Sequence, residues 1–316
     1  MRSIIVGKND IGKRLDSFVL KMSSDVSRNL VYKLIRKKKI RVNGSRVPVN
    51  YRFCQGDVLN IGGFLCENKY SEKNGFLSAS PDIDIIYEDA NVIFVNKKAG
   101  LICHPDKNII TDCLINRVKK YLYIKNEYDP NEENLFSPSL ANRIDRNTSG
   151  IVLAAKNYEC LKILNSKIKR NKIKKYYNCL VYGKMEKNSD ISTAFLVKNE
   201  YKNKVYIYNS KVKDSKIIKT KYEVKRFENN ISLLEVELLT GRCHQIRAHL
   251  AWLGHPILGD GKYGFKKMSD LPIINSFFNS KPKKIKQALR AFKIEFEFDE
   301  EAGVLGYLNK KEFEVF

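Results

Sequence analysis

The sequence predicts an α+β fold in two parts: a small α/β unit, then a larger domain on a mixed, mostly antiparallel sheet. Three observations carry that prediction. Beyond residue 80 strand patterns outnumber helical ones, and no regular βαβ rhythm runs through them. A polar segment opened by Gly62-Gly63 and ended by Ser78, Ser80 and Pro81 reads as a linker. It divides residues 1–62 from residues 81–316. The 316 residues are 43% apolar, enough for one large or two ordinary cores.

The elements follow in order. Ile11, Leu15, Phe18 and Val19 have helical spacing. Ser27 reads as an N-cap for a second amphipathic stripe of Leu30, Val31, Leu34 and Ile35. Ile40 to Gly44 is a short strand entering an Asn-Gly turn, and Gly56 to Ile61 a turn and strand. Residues 83–87 and 92–96 read as strands around the turn 88–91. Residues 109–122 read as a helix, 125–138 as a polar loop, and 158–168 as a helix. Tyr177 to Val181 is a strand, 185–219 a Lys-rich hairpin, and Ser232 to Leu239 an alternating strand. Residues 241–253 run from a turn into a helix, and Lys293 to Phe298 alternate as a late strand.

Charge narrows the function. There are 58 Lys plus Arg against 35 Asp plus Glu, a net +23, which points to a polyanionic partner. Placement says more than the total. From Arg28 to Arg46 lie eight basic residues and no acid, including Lys33, Arg36, Lys37, Lys38, Lys39 and Arg41. Such a run repels itself unless something anionic sits against it, so this second helix reads as an RNA-backbone clamp. Seven scattered cysteines without Cys-x-x-Cys argue against a disulfide framework or a zinc ribbon and fit a reducing cytoplasm. No stretch approaches the ~20 apolar residues of a membrane span, so no membrane partner is expected.

Four clusters can carry chemistry. Asp145 lies in Asn142-Arg143-Ile144-Asp145-Arg146-Asn147-Thr148-Ser149-Gly150, before the apolar run Ile151 to Ala155. Flanking positive charge favours the ionised form of a carboxylate. A buried strand behind it would hold it rigidly, as a nucleophile requires. An ordinary solvated ion pair at a strand start is the competing reading. In Gly241 to Leu250, Arg247 beside Ile246 and Leu250 would be half buried and in need of an anion such as Asp145. His244 and His249 are five apart, so their imidazoles diverge by roughly 140°, which argues against a metal site. Hydrogen-bonding roles suit them better. In Lys172 to Val181, alternation puts Tyr177 and Cys179 on one face. Tyr177 is either a core ring or a ring that stacks on a base. His104, after Gly100, reads as loop structure lining a cleft.

These clusters resemble, in order, the motifs of the pseudouridine synthases, specifically the RluA group. Arg143 to Gly150 matches Arg-Leu-Asp-Arg-x-Thr-Ser-Gly, with Ile144 for Leu. Lys175 to Val181 matches Lys-x-Tyr-x-x-Leu-Val. Residues 241–250 match Gly-Arg-x-His-Gln-Ile-Arg-x-His-Leu, and His255 to Gly264 match His-Pro-Ile-x-Gly-Asp-x-x-Tyr-Gly. Residues 1–62 resemble an S4 RNA-binding domain. The segment Arg28 to Ile61 is most similar to enzymes that modify several uridines of large-subunit ribosomal RNA. The resemblance implies a pseudouridine synthase fold and isomerisation of uridine to pseudouridine in structured RNA, with 23S ribosomal RNA or a pre-50S particle as partner. It implies a cytoplasmic, monomeric enzyme that needs no cofactor and no metal. It implies Asp145 as the catalytic aspartate, Arg247 as its partner and Tyr177 as the ring on the target uracil and a candidate for proton abstraction. Arg143 would fill the gap left by a flipped nucleotide. Arg146, Arg28, Lys33, Arg36, Lys37, Lys38 and Arg41 would contact RNA. One departure stands out: Asn142 occupies a position where the family has His. A non-catalytic S4-type RNA-binding or ribosome-assembly protein is the alternative, and a uracil-releasing glycosylase a second.

Overall fold

The structure, a computed structural model, describes residues 2–23, 26–62, 75–264, 276–277, 287–298 and 301–315. Residues 2–61 have a core of their own. Strands β1 (Arg2–Ile5), β2 (Arg41–Val42) and β3 (Val58–Ile61) form an antiparallel sheet in the order β1-β3-β2. Helices α1 (Leu15–Met22) and α2 (Arg28–Arg36) pack Leu15, Phe18, Val19, Val31 and Ile35 onto it. The Ser27 hydroxyl caps α2 by accepting the Leu30 N–H, as the sequence predicts. α1 starts four residues later than the spacing suggests. Gly12, at φ +74°, turns the chain and leaves Ile11 exposed. β1 escapes sequence reading because only Ile4 of its four residues is buried, so there is no alternation to see.

The larger body is an 11-stranded sheet. Its main path runs β10 (Lys204–Tyr208), β9 (Ser189–Asn199), β11 (Lys216–Glu228), β12 (Ile231–Leu238), β8 (Ile173–Tyr182), β13 (Leu289–Phe296), β7 (Ser149–Ala155), β5 (Val92–Lys97), β4 (Ile85–Glu88). Short strands β6 (Ser139–Leu140) and β14 (Glu312–Glu314) pair with β7 and β13. The sheet is mixed: β13 and β7 run parallel, and the other pairings are antiparallel among the described residues. β7 shows why its sequence is apolar without alternation. Val152 and Ala154 enter one core, while Ile151, Leu153 and Ala155 enter another on the opposite face beneath α4 (Tyr158–Lys169). β11, with one wet face, alternates.

Three expectations shift. The helix expected from 109 begins at Leu114 as α3 (Leu114–Ile124), because Asp106 accepts the N–H groups of Asn108 and Ile109 and holds a loop there. The late strand runs 289–296 rather than 293–298. Of the expected linker 63–80, residues 63–74 lie outside the described residues, whereas Phe76 and Ala79 are buried, Phe76 in a core of the larger body.

The two bodies touch. The Asn9 amide donates to Glu133 at 2.5 Å and its carbonyl accepts the Tyr158 N–H at 3.0 Å. Asn134 donates to the Ile5 carbonyl and to Asp10, both at 2.8 Å. Lys13 lies over the Tyr158 ring.

Candidate active site

The Asp145 segment is gripped from several sides. Its carbonyl accepts the Thr148 N–H at 3.1 Å, closing a tight turn. The Arg146 carbonyl accepts the Gly100 N–H at 2.7 Å and the Lys97 ammonium at 3.0 Å. Lys97 is fully buried and also donates to the Leu101 and Lys98 carbonyls, so one side chain ties the glycine turn to the aspartate turn. Burial pulls its pKa down to about 8, while the nearby Cys103 and Asp145 favour its charged form. The Thr148 hydroxyl accepts from Gln287 at 2.8 Å. Gly150 is required: φ is +112°, and a Cβ there would stand 2.0 Å from the Ala291 carbonyl oxygen. Asn142 has a clear role. Its side-chain oxygen accepts the Leu153 N–H at 2.7 Å, supplying β7 with a partner that a backbone carbonyl would otherwise provide.

The flanking arginines do not pair with Asp145. Arg146 turns to Asp106 at 2.8 Å, and Arg143 is exposed at the mouth of the cleft. Helix α5 (Gln245–Trp252) supplies the cation instead. Arg247 Nη1 donates to Asp145 Oδ2 at 2.6 Å. Its Nε and Nη2 bind Asp260 at 2.6 and 3.0 Å in a bidentate pair. Two carboxylates hold the Arg247 pKa above its usual range despite burial. Burial alone would raise the Asp260 pKa, but Arg247 and the Lys262 and Tyr263 N–H groups hold it below the ordinary value. The expected Asp145–Arg247 contact is therefore present, and Asp260 is a partner the sequence reading missed. Its signal was there, in the Gly-Asp of the fourth motif.

The start of α5 is stitched down by Gln245, which accepts from Thr240 and the Arg242 N–H and donates to the Lys219 carbonyl and Thr220. His244, just before it, is left-handed at φ 52°, a conformation costing about 1–2 kcal/mol per residue. Its Nε2 lies 4.0 Å from Asp145 Oδ2, and its Nδ1 lies 2.9 Å from the Tyr263 hydroxyl. His249 sits between Ser192 and Thr220 at 3.0 and 2.9 Å, and burial lowers its pKa to about 4.

Asp145, Thr148, His244 and Arg247 line a cleft of about 480 Å³, with His104 and Lys175 on its wall. Tyr177 lines it too. The ring is 6% exposed, and its hydroxyl has no hydrogen-bond partner among the described residues. Burial, then Asp145, keeps its phenol protonated well above neutral pH. Asp145 Oδ1 likewise has no hydrogen-bond partner among the described residues. The cleft thus presents a paired carboxylate with one free oxygen, next to an aromatic ring. Outside the cleft, Arg28, Lys33, Arg36, Lys37 and Lys38 are exposed on and after α2 and form no ion pair among the described residues. Arg41 is half-buried and donates to the Lys38 carbonyl.

Known proteins match both parts of the chain. The family model described as RNA pseudouridylate synthase matches residues 91–252, and the S4 domain model matches residues 13–59. An uncharacterized RNA pseudouridine synthase of Mycoplasma genitalium is 33% identical over 92% of this chain and 88% of its own length. The ribosomal large subunit pseudouridine synthase C of Vibrio vulnificus is 32% identical over 81% of this chain and 78% of its own. The solved structure of human RNA pseudouridylate synthase domain containing 4 shares the fold, at TM-score 0.55 and 18% identity over 74% of this chain and 88% of its own. With motifs and domains in agreement, the chain belongs to the RNA pseudouridylate synthase family, in its RluA group, and is an RNA pseudouridine synthase with an S4 domain.

Proposed function

We propose that this enzyme isomerises uridines of 23S ribosomal RNA, free or in a pre-50S particle, with Asp145 acting at C1′ of the target nucleotide. The observation that carries this reading is the Asp145 carboxylate, one oxygen fixed by Arg247 and the other free, facing the cleft that Tyr177 lines. The kinship to large-subunit synthases supports the choice of RNA.

Uracil in a stacked helix must first be flipped out, at a cost of a few kcal/mol. Phosphate contacts to the ridge of Arg28, Lys33, Arg36, Lys37, Lys38 and Arg41, and to Arg143 and Arg146, offset that cost. The Tyr177 ring then stacks on the base. Asp145 Oδ1 bonds to C1′ as the C1′–N1 pair leaves with uracil. The uracil anion turns, C5 bonds to C1′, and the carboxylate is released. C5 loses a proton and N1 gains one, so atoms and oxidation state are unchanged. The route resembles glycoside cleavage with one carboxylate, because a stabilised uracil anion needs no strong acid behind it. Its protonated, buried phenol makes Tyr177 a positioning ring rather than a ready base. The enzyme works as a cytoplasmic monomer, with the S4 unit ending near residue 62.

Replacing Asp145 by Asn should abolish pseudouridine formation while RNA affinity stays within about twofold. Full activity in that variant would sink the assignment. Mapping pseudouridines in ribosomal RNA from cells lacking the protein should show loss of large-subunit sites. Loss only in transfer RNA would overturn the substrate, and abasic sites in treated RNA would indicate a glycosylase instead.

A further inference from the structure

His244 stands between Tyr263 and Asp145. The Tyr263 hydroxyl oxygen accepts the Val205 N–H at 2.9 Å, and burial keeps this phenol protonated, its pKa pushed up to about 12. A phenol has one proton to give, and among the described residues its acceptor is His244 Nδ1, 2.9 Å away. The imidazole therefore carries its own proton on Nε2. Nε2 is 4.0 Å from Asp145 Oδ2, too far for a hydrogen bond, so this N–H opens onto the cleft that both residues line.

We propose that His244 is a catalytic residue: a neutral hydrogen-bond donor to uracil O2 while the C1′–N1 bond breaks. The proposal rests on the reading of Asp145 as the carboxylate that acts at C1′. As that bond breaks, its electron pair passes to N1 and spreads onto O2 and O4. A donor already aimed at that oxygen stabilises the anion without having to reorganise. His244 keeps its proton throughout, so N1 gains and C5 loses protons as before. Arg247 is a poorer candidate for this task, because bonds from its Nη1, Nε and Nη2 hold the guanidinium against Asp145 and Asp260. A neutral ring suits the site better than an imidazolium, which would pair with Asp145 and blunt its attack. Burial favours the neutral ring most, joined by Arg247 and Lys262, and outweighs the opposing pull of Asp145 and Asp260. The His244 backbone is left-handed, at φ 52°.

The test has two arms. In ¹⁵N-histidine-labelled protein, His244 is one of four histidines and is assigned by loss of its signal in His244→Asn, a residue that tolerates the left-handed backbone. At neutral pH the spectrum should show the Nε2–H tautomer, and Tyr263→Phe should scramble it. An Nδ1–H tautomer in the unaltered protein overturns the proposal, whatever the variants do. In the second arm, single-turnover rates are measured on a saturating, unmodified large-subunit ribosomal RNA transcript. His244→Asn should lose about 10²–10³-fold, the usual effect of removing such a donor. His244→Gln, which restores an N–H at similar reach, should recover at least tenfold (order of magnitude). A loss in His244→Asn below about tenfold, or one that Gln does not relieve, overturns the proposal. Asp145→Asn separates the two readings. If it is active, the Asp145 assignment fails; if it is inactive while His244→Asn is near normal, only the His244 role fails.

Discussion

Arg247 and the ridge on α2 present positive charge in opposite ways. Arg247 is 8% exposed and binds two carboxylates, one of them fully buried. Arg28, Lys33, Arg36, Lys37 and Lys38 are exposed and form no ion pair among the described residues. Burial forces the first arrangement, since an unpaired charge out of water is very costly. The pairing that removes the cost also fixes the geometry, which the proposed attack by Asp145 would need. In water the ridge carries no such penalty. Its charges stay unneutralised, as the proposed contacts to a phosphate backbone require. One region is built for position and the other for attraction.

That contrast can be tested from either side. The largest effect should come from Arg247→Met, which leaves Asp260 buried without its cation. We expect a rate loss of about 10³-fold with little change in the salt dependence of binding. Thermal unfolding should show a destabilisation of about 3–5 kcal/mol. An unaltered melting curve would mean that Asp260 is not held as described. Next, Lys33→Gln, Arg36→Gln and Lys37→Gln together should weaken RNA binding about tenfold at low salt. The slope of log K against log salt should flatten by ~0.7 for each phosphate no longer neutralised. The rate at saturating RNA should hold, and a fall in that rate instead would merge the two regions into one.

Burial also leaves its mark on the pH dependence of stability. His249 has a folded pKa of about 4, below the ~6.5 of an unfolded chain. Between those values the unfolded chain binds more protons, so stability falls as pH drops from about 6.5 towards 4, by about 2–3 kcal/mol in total. Calorimetry should show this decline, and His249→Asn should lack most of it. The smallest effect belongs to Asn142. With His there, the Leu153 N–H keeps an acceptor, and the rate should stay within about threefold of the unaltered enzyme, whereas Leu should cost about 1–3 kcal/mol of stability.

Much of this site is legible in the amino-acid sequence. Asp145, Tyr177 and Arg247 announce themselves because each sits in a contiguous motif whose local pattern fixes strand or helix. What stays hidden acts across the chain. Lys97 reads as half of an ordinary Lys-Lys pair, yet it is a buried tie between two turns, since only folding brings the Arg146 carbonyl to it. Asp260 looks like a turn residue until Arg247 is placed beside it. The arginines flanking Asp145 mislead in the opposite sense, because neighbours in sequence at a turn diverge in space. In the fold, β7 is plain from its apolar run, whereas its parallel pairing with β13 leaves no local mark.

That pairing bears on when the enzyme becomes an enzyme. β13 lies between β7 and β8, yet residues 156–288 are made between β7 and β13. Until Leu289–Phe296 has emerged from the ribosome, Gly150 lacks the Ala291 backbone it packs against and the bond from Gln287 to Thr148 is not in place. The turn that carries Asp145 is thus synthesised early and shaped late. The N-terminal unit, with a core of its own, has no such wait. A growing chain would carry its basic ridge well before it carries a working cleft.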